Sequence, residues 1–548
     1  MKLKADQTAQ KLRGAYYTPM EISDFLSSFA ITKETQNVLE PSCGNGIFIL
    51  SASKINSNVE IIGIELDEAE AQRATSRVKF SKTSVTVYSG NYFDVIKQPK
   101  LNHERFDAIL GNPPYVRYQF IESHIQDQAA GVFYGAGLKF TKHTNLWVPF
   151  VVDSLKRLKP GGRLAMVIPR ELLNVIHPGP LRKLLLQECS QILIIDPREL
   201  LFEEALQGTI LLMASKKISH KENSRLGIMH AQDKSFLKLS PTELFDNFEY
   251  KVCSPSESKW MTSLLSSSER SCFEKASRLT EVFQLGELAQ IEVGMVTGAN
   301  EYFLINKSTA INFNLQKNIR PMVGRSQHLS GIVYGEIEHS NNVENDLPVF
   351  FVDFPNLPFE KLNKSLKAYV RFGEDQNLHT RYKTRIREPW YVVPSKWEPE
   401  LFLLKRSNYF PRLVVNEISA LNTDTAYRIT SLGIDARKLA WCFVNSLTVI
   451  SAELEGRSYG GGVLELVPSE IRRLVVPIVD CSEEEINSLN SRFIKGVAYE
   501  EILDSQDQRI LPKLGLTSKE ISTIQKARLK LQERRFRSTQ LGVGGVRV

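Results

Sequence analysis

The chain has 548 residues, is 42% hydrophobic and 24% charged, and carries a formal net charge of +7. That length allows two or three domains, and that balance excludes a disordered or collagen-like chain. No apolar run reaches membrane-spanning length, no basic-then-apolar leader opens the chain, and the six cysteines form no CxxC or Cys/His ligand pattern. Neither a membrane segment, nor a metal site, nor a disulfide framework is therefore expected, and a reduced, cytoplasmic setting is.

In chain order, the first clear unit runs from Val38 to Leu50: a strand through Glu40, a turn Pro41-Ser42-Cys43-Gly44-Asn45-Gly46, then a helix. Gly44 and Gly46 let the backbone turn sharply and let a ligand come close. A second strand, Val59 to Ile64, ends in Glu65, 19 residues after Gly46. An acid at that spacing, on the tip of the second strand of a doubly wound sheet, meets ribose hydroxyls. Three residues after Gly46 stands Ile49, which breaks the G-x-G-x-x-G of a dinucleotide site. A pyrophosphate needs close approach to the helix N-terminus; a nucleoside carrying a sulfonium amino acid does not. The pattern therefore favours S-adenosylmethionine.

A further strand, Phe106 to Leu110, passes through Gly111 into Asn112-Pro113-Pro114-Tyr115. Each proline fixes its own φ, lacks an N–H and keeps the residue before it out of helix. The chain thus leaves the sheet stiff and extended. The Asn112 amide oxygen and the Pro113 carbonyl can point into one small space, where they suit the two hydrogens of a planar NH2 group. The Tyr115 ring suits the flat face that carries that group. Two acceptors and a ring fit amino-group methylation.

On these residues the chain resembles the gamma class of N6-adenine DNA methyltransferases, the TaqI-like group of the type II restriction–modification family. Gly14-Ala15-Tyr16-Tyr17-Thr18-Pro19, followed by Ile22 and Phe25, matches that family's methionine-pocket motif. Pro41, Cys43, Gly44, Gly46 and Phe48 match its cofactor loop, and Gly63-Ile64-Glu65-Leu66-Asp67 its ribose-binding segment. Asn112 to Tyr115 is its catalytic motif, and Pro160 to Pro169 a later turn and strand. Phe202 stands where the family has a second ring against the target base. The resemblance is specific over roughly residues 13 to 216. It implies a Rossmann-like α/β domain that binds S-adenosylmethionine through Thr18, Glu40, Pro41, Ser42, Cys43, Gly44, Gly46, Glu65, Leu66, Asn91, Tyr92 and Asn112. It implies base flipping in double-stranded DNA, with the adenine held by Tyr115 and Phe202. A monomer is expected, with the cognate endonuclease of a restriction–modification pair a separate chain and a functional rather than physical partner. One position departs: the family has Asp-Phe or Asp-Tyr where this chain has Asn91-Tyr92. Asn91 accepts through its amide oxygen but brings no charge, and Asp94 is the alternative contact to the cofactor adenine.

The expected organisation is a catalytic domain over 1–245, a mixed α+β target-recognition domain over 246–480, and a helical C-terminal region with a tail over 481–548. Polar clusters between about 219 and 278 read as loops or a connector. Charge is uneven: Lys361 to Arg412 holds twelve Lys or Arg against five Asp or Glu. Within it Arg381, Lys383, Arg385 and Arg387 alternate. On a strand they share one face, so they are read as a stripe that holds DNA phosphates. A second basic run, Lys526 to Arg537, reads as helical, either another DNA contact or a solvated face. Rival readings are methylation of a glutamine amide in release factors, RNA adenine methylation, and a DNA-binding subunit without activity. A fused endonuclease is not expected, for want of a Pro-Asp…Glu-x-Lys cluster.

Overall fold

The structure, a computed structural model, describes residues 17–79, 81–116, 118–141, 144–174, 179–197, 208–219, 221–253, 260–459 and 462–536. It separates into two units, one within Met1–Leu264 and one spanning Leu265–Arg535.

The first unit is built on a nine-stranded sheet. Its strands are β1 (Asn37–Glu40), β2 (Glu60–Glu65), β3 (Ser84–Ser89), β4 (Phe106–Gly111), β5 (Leu158–Pro169), β6 (Cys189–Pro197), β7 (Thr209–Lys216), β8 (Ser224–Ala231) and β9 (Lys251–Cys253). Their order is β3-β2-β1-β4-β5-β7-β6-β8-β9. Neighbours from β3 to β5 are parallel, and β7 runs antiparallel to both β5 and β6. The central strands are nearly continuous apolar runs because helices cover both faces. Helix α1 (Met20–Ala30) puts Ile22, Phe25 and Phe29 into the core with Phe48, Ile49, Ala108 and Leu110. Helices α2 (Ile47–Ile55), α3 (Glu68–Arg77) and α4 (Tyr92–Val95) follow β1, β2 and β3. The strand order reverses between β1 and β4. Open α/β sheets bind ligands in the crevice at that point, outside the carboxyl ends of the strands.

The first unit extends past the expected boundary at 245. β8 joins the sheet parallel to β6, and β9 pairs antiparallel with β8. The sequence conceals them because β8 is polar, with Ser224, Arg225 and His230, and β9 is three residues long.

The second unit contains a five-stranded sheet in the order Ala289–Val293, Ala426–Ser431, Leu401–Leu404, Leu413–Asn416, Val333–Tyr334. Beside its strands an aromatic core forms. Tyr302 stacks on Tyr369 at 4.6 Å, and each hydroxyl donates to the other's backbone carbonyl, at 3.0 and 2.7 Å. Strand Val282–Gln284 pairs antiparallel with Val475–Pro477, Val282 opposite Pro477, so the stretch between them starts and ends on one two-stranded sheet. The C-terminal helices Glu483–Ile494, Tyr499–Ile510 and Ser518–Phe536 group with this unit as far as Arg535, not as a separate region. The basic run after Lys526 is helical as read, but two of its cations are structural. Arg535 and Glu453 form a buried pair at 2.8 Å, and buried Arg528 reaches Asp504 at 3.2 Å. Arg537 lies outside the described residues. Among the described residues, no helix is long and apolar enough to cross a membrane.

Candidate active site

The site is assembled where β1, β2 and β4 end. β1 stops at Glu40, opposite Gly63 of β2. In the turn that follows, the Cys43 N–H donates to the Ile64 carbonyl at 2.9 Å and the Gly44 N–H to Glu65 Oε2 at 2.8 Å. Gly44 (φ +50°) and Gly46 (φ +76°) occupy the left-handed region. A Cβ on Gly46 would stand 2.8 Å from Ala74 Cβ and 2.9 Å from its Cα, so this glycine also sets how closely α2 approaches α3. Gly46→Ala is expected to lower stability by about 1–3 kcal/mol, from backbone strain and overpacking together. Its thermal unfolding midpoint checks this; an unchanged midpoint would mean that the two helices separate freely.

Two carboxyls face this turn. Glu65 Oε1 accepts from the Asp67 N–H at 2.9 Å, and Asp67 in turn caps α3 by accepting from the Ala69 and Glu70 N–H groups. Leu66, beside it, is 62% exposed. Glu40 is 1% exposed, and its Oε2 has no hydrogen-bond partner among the described residues. Burial first, and then the neighbouring Glu65, push the Glu40 carboxyl well above the usual range; burial also raises Glu65. A buried carboxyl held this high favours its neutral form, and a cationic group placed beside it would draw it back toward the carboxylate. Cys43 is a packed core thiol, pushed well up by burial.

β4 ends at Gly111 (φ +150°), where a Cβ would lie 3.4 Å from Glu40 Cγ. Asn112 is held from two other segments. Its backbone carbonyl accepts from Ser42 Oγ at 3.2 Å, and its Nδ2 donates to Thr18 Oγ1 at 3.3 Å. With Nδ2 given to Thr18, Oδ1 is the acceptor end of that amide. Among the described residues, the Pro113 carbonyl accepts no hydrogen bond. The Tyr115 hydroxyl donates to the Val167 carbonyl of β5 at 3.0 Å, which fixes the ring beside the strand end. Thr18, Glu40, Pro41, Ser42, Gly44, Gly46, Glu65 and Asn112, chosen from separate stretches of sequence, thus gather around the ends of β1, β2 and β4.

Other expected residues fare differently. Asn91 caps α4 by accepting from the Phe93 N–H at 3.3 Å, and its Nδ2 donates to Asp94 Oδ2 and to Gln128 Oε1, at 2.9 and 2.7 Å. Asn91 and Asp94 therefore share one small cluster. Gln128 had no signal in the sequence, since it lies 37 residues away on a separate helix, Ser123–Gly135. Tyr92 is a correction: its side chain belongs to the core, 3% exposed, stacked on Phe150 at 4.9 Å, with its hydroxyl donated to Asp153 at 2.6 Å. Phe202 and Gly14 to Tyr16 lie outside the described residues. Arg170 was missed, although it directly follows the Pro160–Pro169 motif. It pairs with buried Asp196 at 2.7 Å and donates to the Pro197 carbonyl at 2.8 Å, which ties together the carboxyl ends of β5 and β6.

The four alternating cations need a correction as well. Residues 382–385 form a helical turn, Tyr382–Arg385, after a 3-10 turn at Leu378–Thr380, not a strand. The buried Thr384 hydroxyl bonds the Arg381 carbonyl at 3.0 Å, and Asn377 (φ +56°) turns the chain into this element. The cations are used unequally: Arg381 pairs with Glu301, and Arg387 donates to the Thr297 and Val296 carbonyls at 2.7 and 2.5 Å.

An open α/β sheet whose switch point gathers a glycine turn, two acids and an Asn-Pro-Pro-Tyr strand end defines a methyltransferase. Residues 3–241 match the family model "N-6 DNA Methylase" and residues 257–511 that of "Type II methyltransferase M.Eco57I, C-terminal domain". Over residues 3–241 the chain thus matches the N-6 DNA methylase family. It is 22% identical over 485 residues to Type II methyltransferase M.AccI of Acinetobacter calcoaceticus, covering 84% of each chain. It is 25% identical over 483 residues to Type II methyltransferase M.XamI of Xanthomonas campestris pv. amaranthicola, covering 85% of each. Among solved structures, the Type IIL restriction-modification enzyme MmeI in complex with DNA shares the fold, with a TM-score of 0.57 and 12% identity over 93% of this chain and 73% of that one.

Proposed function

We propose that the protein transfers a methyl group from S-adenosylmethionine to N6 of a flipped adenine at one sequence of duplex DNA. It would protect that DNA in a restriction–modification system whose endonuclease is a separate chain. On this reading it acts as a cytoplasmic monomer. The observation that carries the reading is the placement of Asn112: fixed by Thr18 and Ser42, at the end of the strand beside Glu40.

When bound, S-adenosylmethionine supplies an electrophilic methyl group on a sulfonium. Glu65 would hold the ribose hydroxyls, Leu66 would cover the adenine, and Asn91 or Asp94 would accept from its amino group. The Gly44 and Gly46 backbone would line the amino-acid portion, with the buried Glu40 carboxyl close by. The target adenine must leave the base stack, which costs a few kcal/mol. Stacking on Tyr115 returns roughly 1–3 kcal/mol, and Phe202 is proposed as the second ring. Asn112 Oδ1 and the Pro113 carbonyl accept the two amino hydrogens and draw the nitrogen toward tetrahedral geometry, which localises its lone pair. Positive charge grows on that nitrogen as its bond to the methyl carbon forms and the carbon–sulfur bond breaks, its electron pair going to sulfur; the fixed carbonyl dipoles stabilise that charge without reorganising, and one amino proton is then lost to solvent. The match of residues 257–511 to a methyltransferase C-terminal domain supports DNA over a protein amide as the substrate.

DNA from cells expressing the protein should carry N6-methyladenine at one recurring sequence and nowhere else above background. Sequencing of modified bases reads this directly. DNA left unmodified, with methyl groups in RNA or protein, would overturn the proposal.

A further inference from the structure

The short element after Asn377 has an unusual surface. Tyr382 and Ile386 are each 64% exposed. They stand four residues apart across a helical turn, so both fall on one side. Lys383 and Arg385 are exposed and form no ion pair among the described residues. Their cationic ends lie 5.6 and 5.7 Å from the centre of the Tyr382 ring. The cations that flank this turn are used differently. Arg381 is taken up by Glu301, and Arg387 by the carbonyls of Val296 and Thr297. The turn also leans on Gly298 (φ +82°), where a Cβ would stand 2.7 Å from Lys383 Cβ. Arg381, Arg387, Thr384 and Gly298 therefore hold a small element rigid, and what it displays is one ring, one branched aliphatic chain and two uncommitted cations. The one exposed acid within it is Glu388.

An apolar pair alone would fit a protein surface. An aromatic ring bracketed by two cations fits a nucleic acid, whose phosphates flank grooves lined by base edges. We propose that residues 382–386 seat on duplex DNA, with Lys383 and Arg385 on phosphates and Tyr382 and Ile386 against bases, while Arg381 and Arg387 are braces. This inference rests on the reading of the chain as a DNA methyltransferase, and it divides the four alternating cations into two classes.

The test uses the full chain and two duplexes, one carrying the sequence that the wild-type protein methylates and one scrambled. Binding is followed by fluorescence anisotropy across a salt series. Lys383→Ala with Arg385→Ala should weaken both duplexes by about tenfold or more and lower the salt slope by about 1.8, since each phosphate contact contributes about 0.9. Tyr382→Ala with Ile386→Ala should leave the slope unchanged and reduce the preference for the methylated sequence by about tenfold. Arg381→Ala and Arg387→Ala should lower the thermal midpoint, while the salt slope stays as in wild type. Unchanged affinity and slope for the Lys383/Arg385 variant, with wild-type methylation intact, would overturn this assignment alone. A wild-type protein that methylates no DNA would overturn the functional reading and the assignment with it.

Discussion

Asn112→Ala is expected to slow methyl transfer by about 10²–10³-fold or more in a single turnover, the scale on which removal of one preorganised polar group acts. DNA and cofactor affinities should stay close to wild type. The reason is local. The Asn112 side chain reaches Thr18, whereas the bond from Ser42 goes to the Asn112 backbone, which alanine keeps. The strand end should therefore hold its place while the acceptor Oδ1 is lost. Asn112→Asp offers a comparison: it keeps an acceptor but gives up the donor to Thr18 and adds charge beside Glu40. A rapid-quench measurement on both variants separates acceptor chemistry from positioning. Near-normal turnover for the alanine variant would remove Asn112 from the mechanism.

Glu65→Ala should weaken S-adenosylmethionine binding by about 10–100-fold, with little change in DNA affinity. A hydrogen bond to a charged group contributes about 1.5–3 kcal/mol, and this carboxylate also ties down the Gly44 and Asp67 N–H groups. The charge also gives the effect a pH dependence. Burial raises the Glu65 carboxyl, so the ionised acceptor is present above that raised value and is lost as pH falls through it. Cofactor affinity should fall in the same direction in the wild type and stay flat in Glu65→Ala over that range. Calorimetric titration at several pH values checks both; unchanged affinity for the variant would move the ribose contact elsewhere.

The residues legible in the sequence were those whose backbone needs are peculiar. Gly44, Gly46 and Gly111 hold backbone that other residues rarely adopt, and Pro113-Pro114 permits little besides an extended exit. Such positions announce themselves without knowledge of their neighbours. Glu65 was legible because strand tips in this sheet are spaced regularly. Gln128 and Arg170 were not, because their roles come from side chains brought close by folding, which no local pattern records. The alternating cations misled for a related reason. Alternation is a strand signal only where burial also alternates, and here it is Thr384 that is buried, with its hydroxyl bonded to Leu378 and Arg381 carbonyls as a helical turn requires. The domain edge misled because β8 and β9 lie at the margin of a sheet whose central strands already supply the apolar core. In the same way the basic run after Lys526 looked like a surface feature, and its Arg535 instead faces Glu453 inside the second unit.

The central claim is that this crevice methylates the amino group of adenine in DNA. Purified protein, unmethylated duplex DNA and S-adenosylmethionine labelled in its methyl group should yield, after digestion to nucleosides, labelled N6-methyladenine by mass spectrometry, with the initial rate of labelling about a hundredfold or more lower when Asn112→Ala replaces the wild type. Label in methylcytosine, or equal rates of labelling by the wild-type and Asn112→Ala proteins, would contradict the account.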